Sequence, residues 1–174
     1  MPPIAERSGV RFGCFVEMPV ERGIAQLTGM RIIPVPPSGA DKAGVYAAWA
    51  RTATEEIKRS GGLYIHIKGP DEPGHDGDWE AKRAVIETID RAFFATLLAG
   101  IALEEVVVAV TADHATPCAL HRHSDDPVPL LLAGGGVTPD GSQGFSESAC
   151  AHGGLGTLRG VDVMPLLVKT AGAA

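Results

Sequence analysis

Residues 63–78 read LYIHIKGPDEPGHDGD, and residues 104–114 read EEVVVAVTADH. LYIHIK, residues 63–68, has the composition of a buried strand, and the glycines and prolines of GPDEPGHDGD predict a loop at its end. From Trp79 to about Leu98 the chain sets Ala84, Ile86, Ile89, Ala92, Phe93 and Leu97 on or near one side, which predicts the longest helix. A second strand, residues 106–111, runs straight into Asp113 and His114, and VPLLLAG, residues 128–134, is a third.

The flanking segments fit the same scheme. Upstream, RFGCFVE predicts a short strand. PVERGIAQLTGM then carries Val20, Ile24 and Leu27 at helical spacing before Gly29, and RIIPVP is a brief strand ending at Pro34. PPSGADKAG is a predicted loop, and the Ala-rich run from Val45 to about Arg59 a helix closed by Ser60, Gly61 and Gly62. Downstream come a Gly-rich turn, GGGVTPDGSQG, a short helix around residues 147–152 and an amphipathic helix from about Asp162 to Lys169. Strands alternating with helices predict an α/β fold, with a mostly parallel sheet carrying helices on both faces, in a single domain over residues 1–174.

Composition narrows the function classes. The chain has 174 residues, 45% of them hydrophobic, enough for one sizeable core. Its formal charge of −6 and the lack of a basic run disfavour a nucleic-acid partner. No apolar stretch reaches the roughly 18 residues of a membrane span, and MPPIAERSG lacks the apolar core of a secretory signal. Cys14, Cys118 and Cys150 are odd in number and far apart, so free thiols and a cytoplasmic setting are expected.

The chemistry lies in the loops that follow the predicted strands, where open α/β sheets collect their ligands. Asp71 and His75 stand four apart in one such loop, Asp113 and His114 end a strand, and His121 and His123 follow in CALHRHSDDPVP. An isolated Asp-x-x-x-His is as often a surface pair as a metal site. The joint occurrence at two strand ends, with a third His motif downstream, favours a divalent metal, Zn²⁺ or Mn²⁺ before Mg²⁺. A two-metal hydrolase or phosphotransferase is the sharp reading. His66 in a strand and His152 in a helix read as structural; between His121 and His123 the residues alone do not choose.

KGPDEPGHDGD, IETID, VTADHATPC, HSDDPVP and GGLGTLRGVDVMPLL together closely resemble the archaeal-type cofactor-independent phosphoglycerate mutases of the alkaline phosphatase superfamily, over about residues 20–168. The resemblance implies that Asp71, His75 and His123 hold one metal and that Asp113 and His114 belong to a second. It selects His123, which precedes Ser124 and the Asp-Pro-Val-Pro run. It also implies a small phosphorylated substrate, a serine that takes and returns phosphate, and interconversion of 2- and 3-phosphoglycerate.

The family's serine and a further Asp ligand lie in an amino-terminal half, and nothing in residues 1–60 resembles either motif. Ser8 and Ser38 read as loop residues. The expectation is therefore the carboxy-terminal half of such an enzyme, a partial alkaline-phosphatase-like domain completed by a complementary chain or by self-association. Lys68 is a candidate for a phosphate or carboxylate. Asp78 is a lesser one; Lys82, Glu87 and Asp90 fit an exposed helix face, and Cys118 an idle thiol. The competing expectations are a related phosphatase or small-molecule phosphotransferase and a non-catalytic metal-binding subunit.

Overall fold

A computed structural model describes residues 2–37, 39 and 41–172; Ser38 lies outside the described residues. The chain divides into two compact units, Met1–Pro73 with Asp78–Ile101, and Gly74–Gly77 with Ala102–Ala174.

In the first unit, α1 (Ile4–Ser8) leads into β1 (Phe12–Phe15), α2 (Pro19–Thr28), β2 (Arg31–Ile32), α3 (Lys42–Glu56) and β3 (Gly62–Ile65). The strands form a parallel sheet in the order β2-β1-β3, with Cys14 opposite Ile32 on one side and Tyr64 on the other. All four residues of the central strand are buried, and alternate side chains serve opposite faces. Phe15 packs with Tyr46, Trp49, Ala50 and Ala53 of α3, whereas Cys14 and Val16 pack with Ala25 of α2. Helices therefore cover both faces, as the alternation of elements led us to expect. Burial also pushes the Cys14 thiol pKa up, so this cysteine is an inert core residue.

Two helix boundaries differ from the sequence expectation. The Asp41 carboxylate accepts the Gly44 N–H at 2.9 Å and starts α3 three residues before Val45. Ser8 closes α1 rather than lying in a loop, its hydroxyl donating to the Ile4 carbonyl at 2.8 Å.

The long helix is built as α5 (Trp79–Thr88), a π-helical turn (Ile89–Phe94) and α6 (Ala95–Gly100). Asp78 is its N-cap, accepting the Ala81 N–H at 2.9 Å. Its inward side chains include Val85, Ile89, Phe93 and Leu97, spaced by four, while Ile86 is half exposed. An α-helix of 3.6 residues per turn carries a spacing of four gradually around its axis, and the wider π turn holds Phe93 and Leu97 toward the core.

The second unit contains β4 (Val107–Thr111), β5 (Leu130–Gly134), α7 (Glu147–Cys150) and α8 (Gly160–Thr170). Here β4 and β5 pair antiparallel in a sheet of their own, so the parallel part is confined to the first three strands. No helix links β4 to β5, and without a crossover the chain returns beside β4 in the opposite direction. Farther along, Asp140 accepts the Gly154 and Ser142 backbone N–H groups, which hold its carboxyl pKa down at about 2. His152 lies just beyond α7 and donates from Nδ1 to the Ser148 carbonyl at 2.9 Å. No helix among the described residues is long and apolar enough to cross a membrane.

Two outcomes follow from this packing. Phe93→Ala should cost about 3–5 kcal/mol in denaturant unfolding, against a change of about 0.5 kcal/mol or less for the half-exposed Ile86→Ala. Because Asp140 has a depressed pKa in the folded chain, its contribution is fully present above about pH 4 and disappears as pH falls through about 2. The Gly154 and Ser142 amide resonances should titrate together at that lower value; a midpoint near pH 4 would contradict the pairing.

Candidate metal centre

The segment expected to be a loop contains a one-and-a-half-turn helix, α4 (Asp71–Asp76). Pro73 sits in its first turn, where a missing N–H costs nothing, and Asp71 and Glu72 suit the positive end of the backbone dipole. Gly77, with φ +76°, ends the helix. Asp71 and His75 are consequently one helical turn apart on one side of α4, a relation that a loop would not guarantee. Lys68 lies 3.7 Å from the Asp71 carboxylate.

Four histidines gather in the second unit. The connection from β4 to β5 folds back at a single antiparallel bridge between Ala115 and Ser124, where the Ser124 N–H donates to the Ala115 carbonyl at 3.1 Å. That bridge holds the neighbouring His114 and His123 together, with ring centroids 3.7 Å apart in a stack. His75 Nε2 approaches His123 Nε2 at 3.2 Å. His121 turns back: its Nδ1 is 3.1 Å from the His75 carbonyl, and its own carbonyl is 3.3 Å from His75 Nδ1.

A carbonyl oxygen only accepts, so His75 Nδ1 carries the proton and the Nε2 lone pair is presented toward His123. Two imidazole donors on one tetrahedral ion at about 2.0–2.1 Å would stand roughly 3.3 Å apart. The observed 3.2 Å matches that spacing. Both rings are exposed to solvent, which leaves room for an exchangeable ligand. The donor set thus fits a divalent metal.

Asp113 and His114 stand beside this pair. The Asp113 carboxylate accepts the His114 backbone N–H at 3.1 Å and lies 3.5 Å from its Nε2. His114 Nδ1 meets the hydroxyl of buried Thr116 at 3.1 Å, and a hydroxyl can serve either ring tautomer. Thr116 went unnoticed in the sequence, where one threonine in ADHATP has no visible partner. His66 is apart from these residues in the chain and pairs at the end of β3 with Glu21, Nδ1 to Oε1 2.5 Å. Glu87 pairs with Arg83 and Arg91 along its own helix, at 3.6 and 3.7 Å, as an exposed helix face would. Cys118 is not part of a disulfide.

Residues 7–170, nearly the whole chain, match the metalloenzyme superfamily. The chain belongs to that superfamily. It is 45% identical over 163 residues to a 2,3-bisphosphoglycerate-independent phosphoglycerate mutase of Aeropyrum pernix, a match covering 91% of this chain and 38% of that protein. The corresponding enzyme of Thermococcus gammatolerans is 38% identical, with 94% of this chain and 39% of the relative covered. The chain spans about two fifths of the length of these curated relatives.

Among solved structures, the PH0037 protein from Pyrococcus horikoshii superimposes with a TM-score of 0.90 at 35% identity, over 99% of this chain and 45% of that one. The cofactor-independent phosphoglycerate mutase from Thermoplasma acidophilum gives 0.72 at 26% identity, over 98% and 39%. The α/β superfamily fold anticipated from the motifs is therefore shared along nearly the full length of this chain.

Proposed function

We propose that residues 1–174 supply the metal-holding portion of a phosphoglycerate-mutase-type centre that interconverts 2- and 3-phosphoglycerate. The observation that carries this reading is the approach of His75 and His123 through their Nε2 atoms, within a chain so similar to those mutases. In this reading Asp71, His75 and His123 hold one Mn²⁺ or Zn²⁺, Asp71 from the preceding turn of the His75 helix. Asp113 and His114 contribute to a second ion beside it. A divalent ion held by these residues supplies positive charge against the phosphoryl oxygens, the main demand of phosphoryl transfer.

The residues of the chain have their own tasks. The His121 carbonyl fixes the His75 tautomer, and Thr116 keeps His114 in place. Lys68, exposed at the start of the Asp71 turn, is the candidate for substrate phosphate or carboxylate. The nucleophilic serine comes from outside these residues, since Ser8 is tied to its own helix and no early serine has the motif. A complementary serine-bearing segment, or a second copy of the chain, would complete the centre. Cys14, Cys118 and Cys150, none of them in a disulfide, suit a cytoplasmic setting.

Titration of the chain with Mn²⁺ or Zn²⁺ should show one stronger site and one weaker. His75→Ala and His123→Ala should each weaken the stronger by at least about 100-fold, beyond the 10–100-fold typical of losing an outer partner. Mutase assays should be silent for the chain alone and positive after addition of a serine-bearing amino-terminal portion. Robust turnover by the chain alone would contradict the external nucleophile and point to a phosphatase or another phosphotransferase. Metal binding with silence in both assays would favour a non-catalytic metal-binding subunit.

A further inference from the structure

We infer that His121 is a positioning residue: with Gly77, it clasps the end of α4 and locks the ring of His75 in the Nδ1–H form. The inference rests on the reading of His75 as a metal ligand, and assigns the control of that ligand to a histidine two residues from His123.

The clasp is reciprocal. His121 Nδ1–H donates to the backbone carbonyl of His75 at 3.1 Å, and His75 Nδ1–H donates to the backbone carbonyl of His121 at 3.3 Å. Each ring therefore anchors the other residue's backbone. A single bond to His75 Nδ1 would fix its tautomer, while the second restrains the position of the two backbone segments around it. Since both acceptors are carbonyl oxygens, both Nδ1 atoms are protonated, and the His75 lone pair is left at Nε2, the atom facing His123.

The backbone is shaped to allow this. His121 has φ +52°, the only positive φ at a non-glycine position among the described residues. An L-residue held there marks a conformation imposed by its surroundings. Across from it, Gly77 has φ +76°, and a Cβ at that position would lie 2.1 Å from Cε1 of the His121 ring. The ring thus occupies the space that the glycine leaves open, so a side chain at 77 would displace the ring and open the clasp.

Three variants separate donor, backbone and space. Asn at 121 tolerates positive φ and offers a side-chain N–H near the position of Nδ1–H; Gly at 121 keeps the backbone freedom but has no donor; Ala at 77 takes the ring's space. Nitrogen-15 NMR of the metal-free chain at pH 8 should find His75 in the Nδ1–H form in the parent and in His121→Asn. In His121→Gly and Gly77→Ala the Nε2–H form should appear, and Zn²⁺ affinity should fall about 10–100-fold, while His121→Asn stays within about threefold of the parent.

If Gly77→Ala fails to fold, the two variants at 121 carry the comparison alone. Nδ1–H occupancy and affinity unchanged in His121→Gly, or an Nε2–H ring in the parent, would overturn the inference. A locked ring in the parent combined with unchanged Zn²⁺ affinity in His75→Ala would instead leave the clasp standing and remove the ligand reading.

Discussion

The backbone reversal at Gly77 sets the geometry of the candidate centre. A short helix cannot hold itself in water, and α4 has only six residues. It is fixed from outside: its last turn stops at a positive φ, and His121 closes on the carbonyl of His75. Once α4 stops there, Asp71 and His75 share a side of the helix, and His75 Nε2 meets His123. The stacked rings of His114 and His123 extend the arrangement through the Ala115–Ser124 bridge. Nearly every polar feature of the site in the second unit is thus a consequence of two backbone events, one at Gly77 and one at that bridge.

Much of this was legible in the sequence, for identifiable reasons. β1, α2, β2 and β3 were readable because apolar runs and Gly29 punctuate them clearly. α4 was not, since three glycines and two prolines in ten residues read as a loop, yet Pro73 falls in the first turn, where proline is harmless. The pairing of β4 with β5 was hidden too, because strand composition carries no direction. Along the long helix the expected inward face included Ile86, whereas Val85 of α5 is the buried neighbour and the π-helical turn keeps Phe93 and Leu97 on the inward side. At the site, residue types and strand-end positions pointed to Asp71, His75, Asp113 and His114, while His123 was separated from His121 only by the family resemblance. His121 and Thr116 act through backbone and hydroxyl contacts that spacing cannot express.

The distribution of chemistry along the chain has a physical logic. Phosphoryl transfer asks for concentrated positive charge near the phosphoryl oxygens and for a nucleophile in line. In the proposed reading, residues 63–123 provide the metal donors for the first requirement and nothing recognisable for the second. That division accords with a chain spanning about two fifths of the phosphoglycerate mutases it resembles.

The central claim is that His75 and His123 hold one divalent ion through Nε2. X-ray absorption at the zinc edge, on the chain loaded with one equivalent of Zn²⁺, reads the ligand shell directly. The account predicts at least two imidazole rings with Zn–N near about 2.0–2.1 Å and the remaining positions filled by oxygen. A shell of oxygen alone, or one containing sulfur from Cys118, would contradict it.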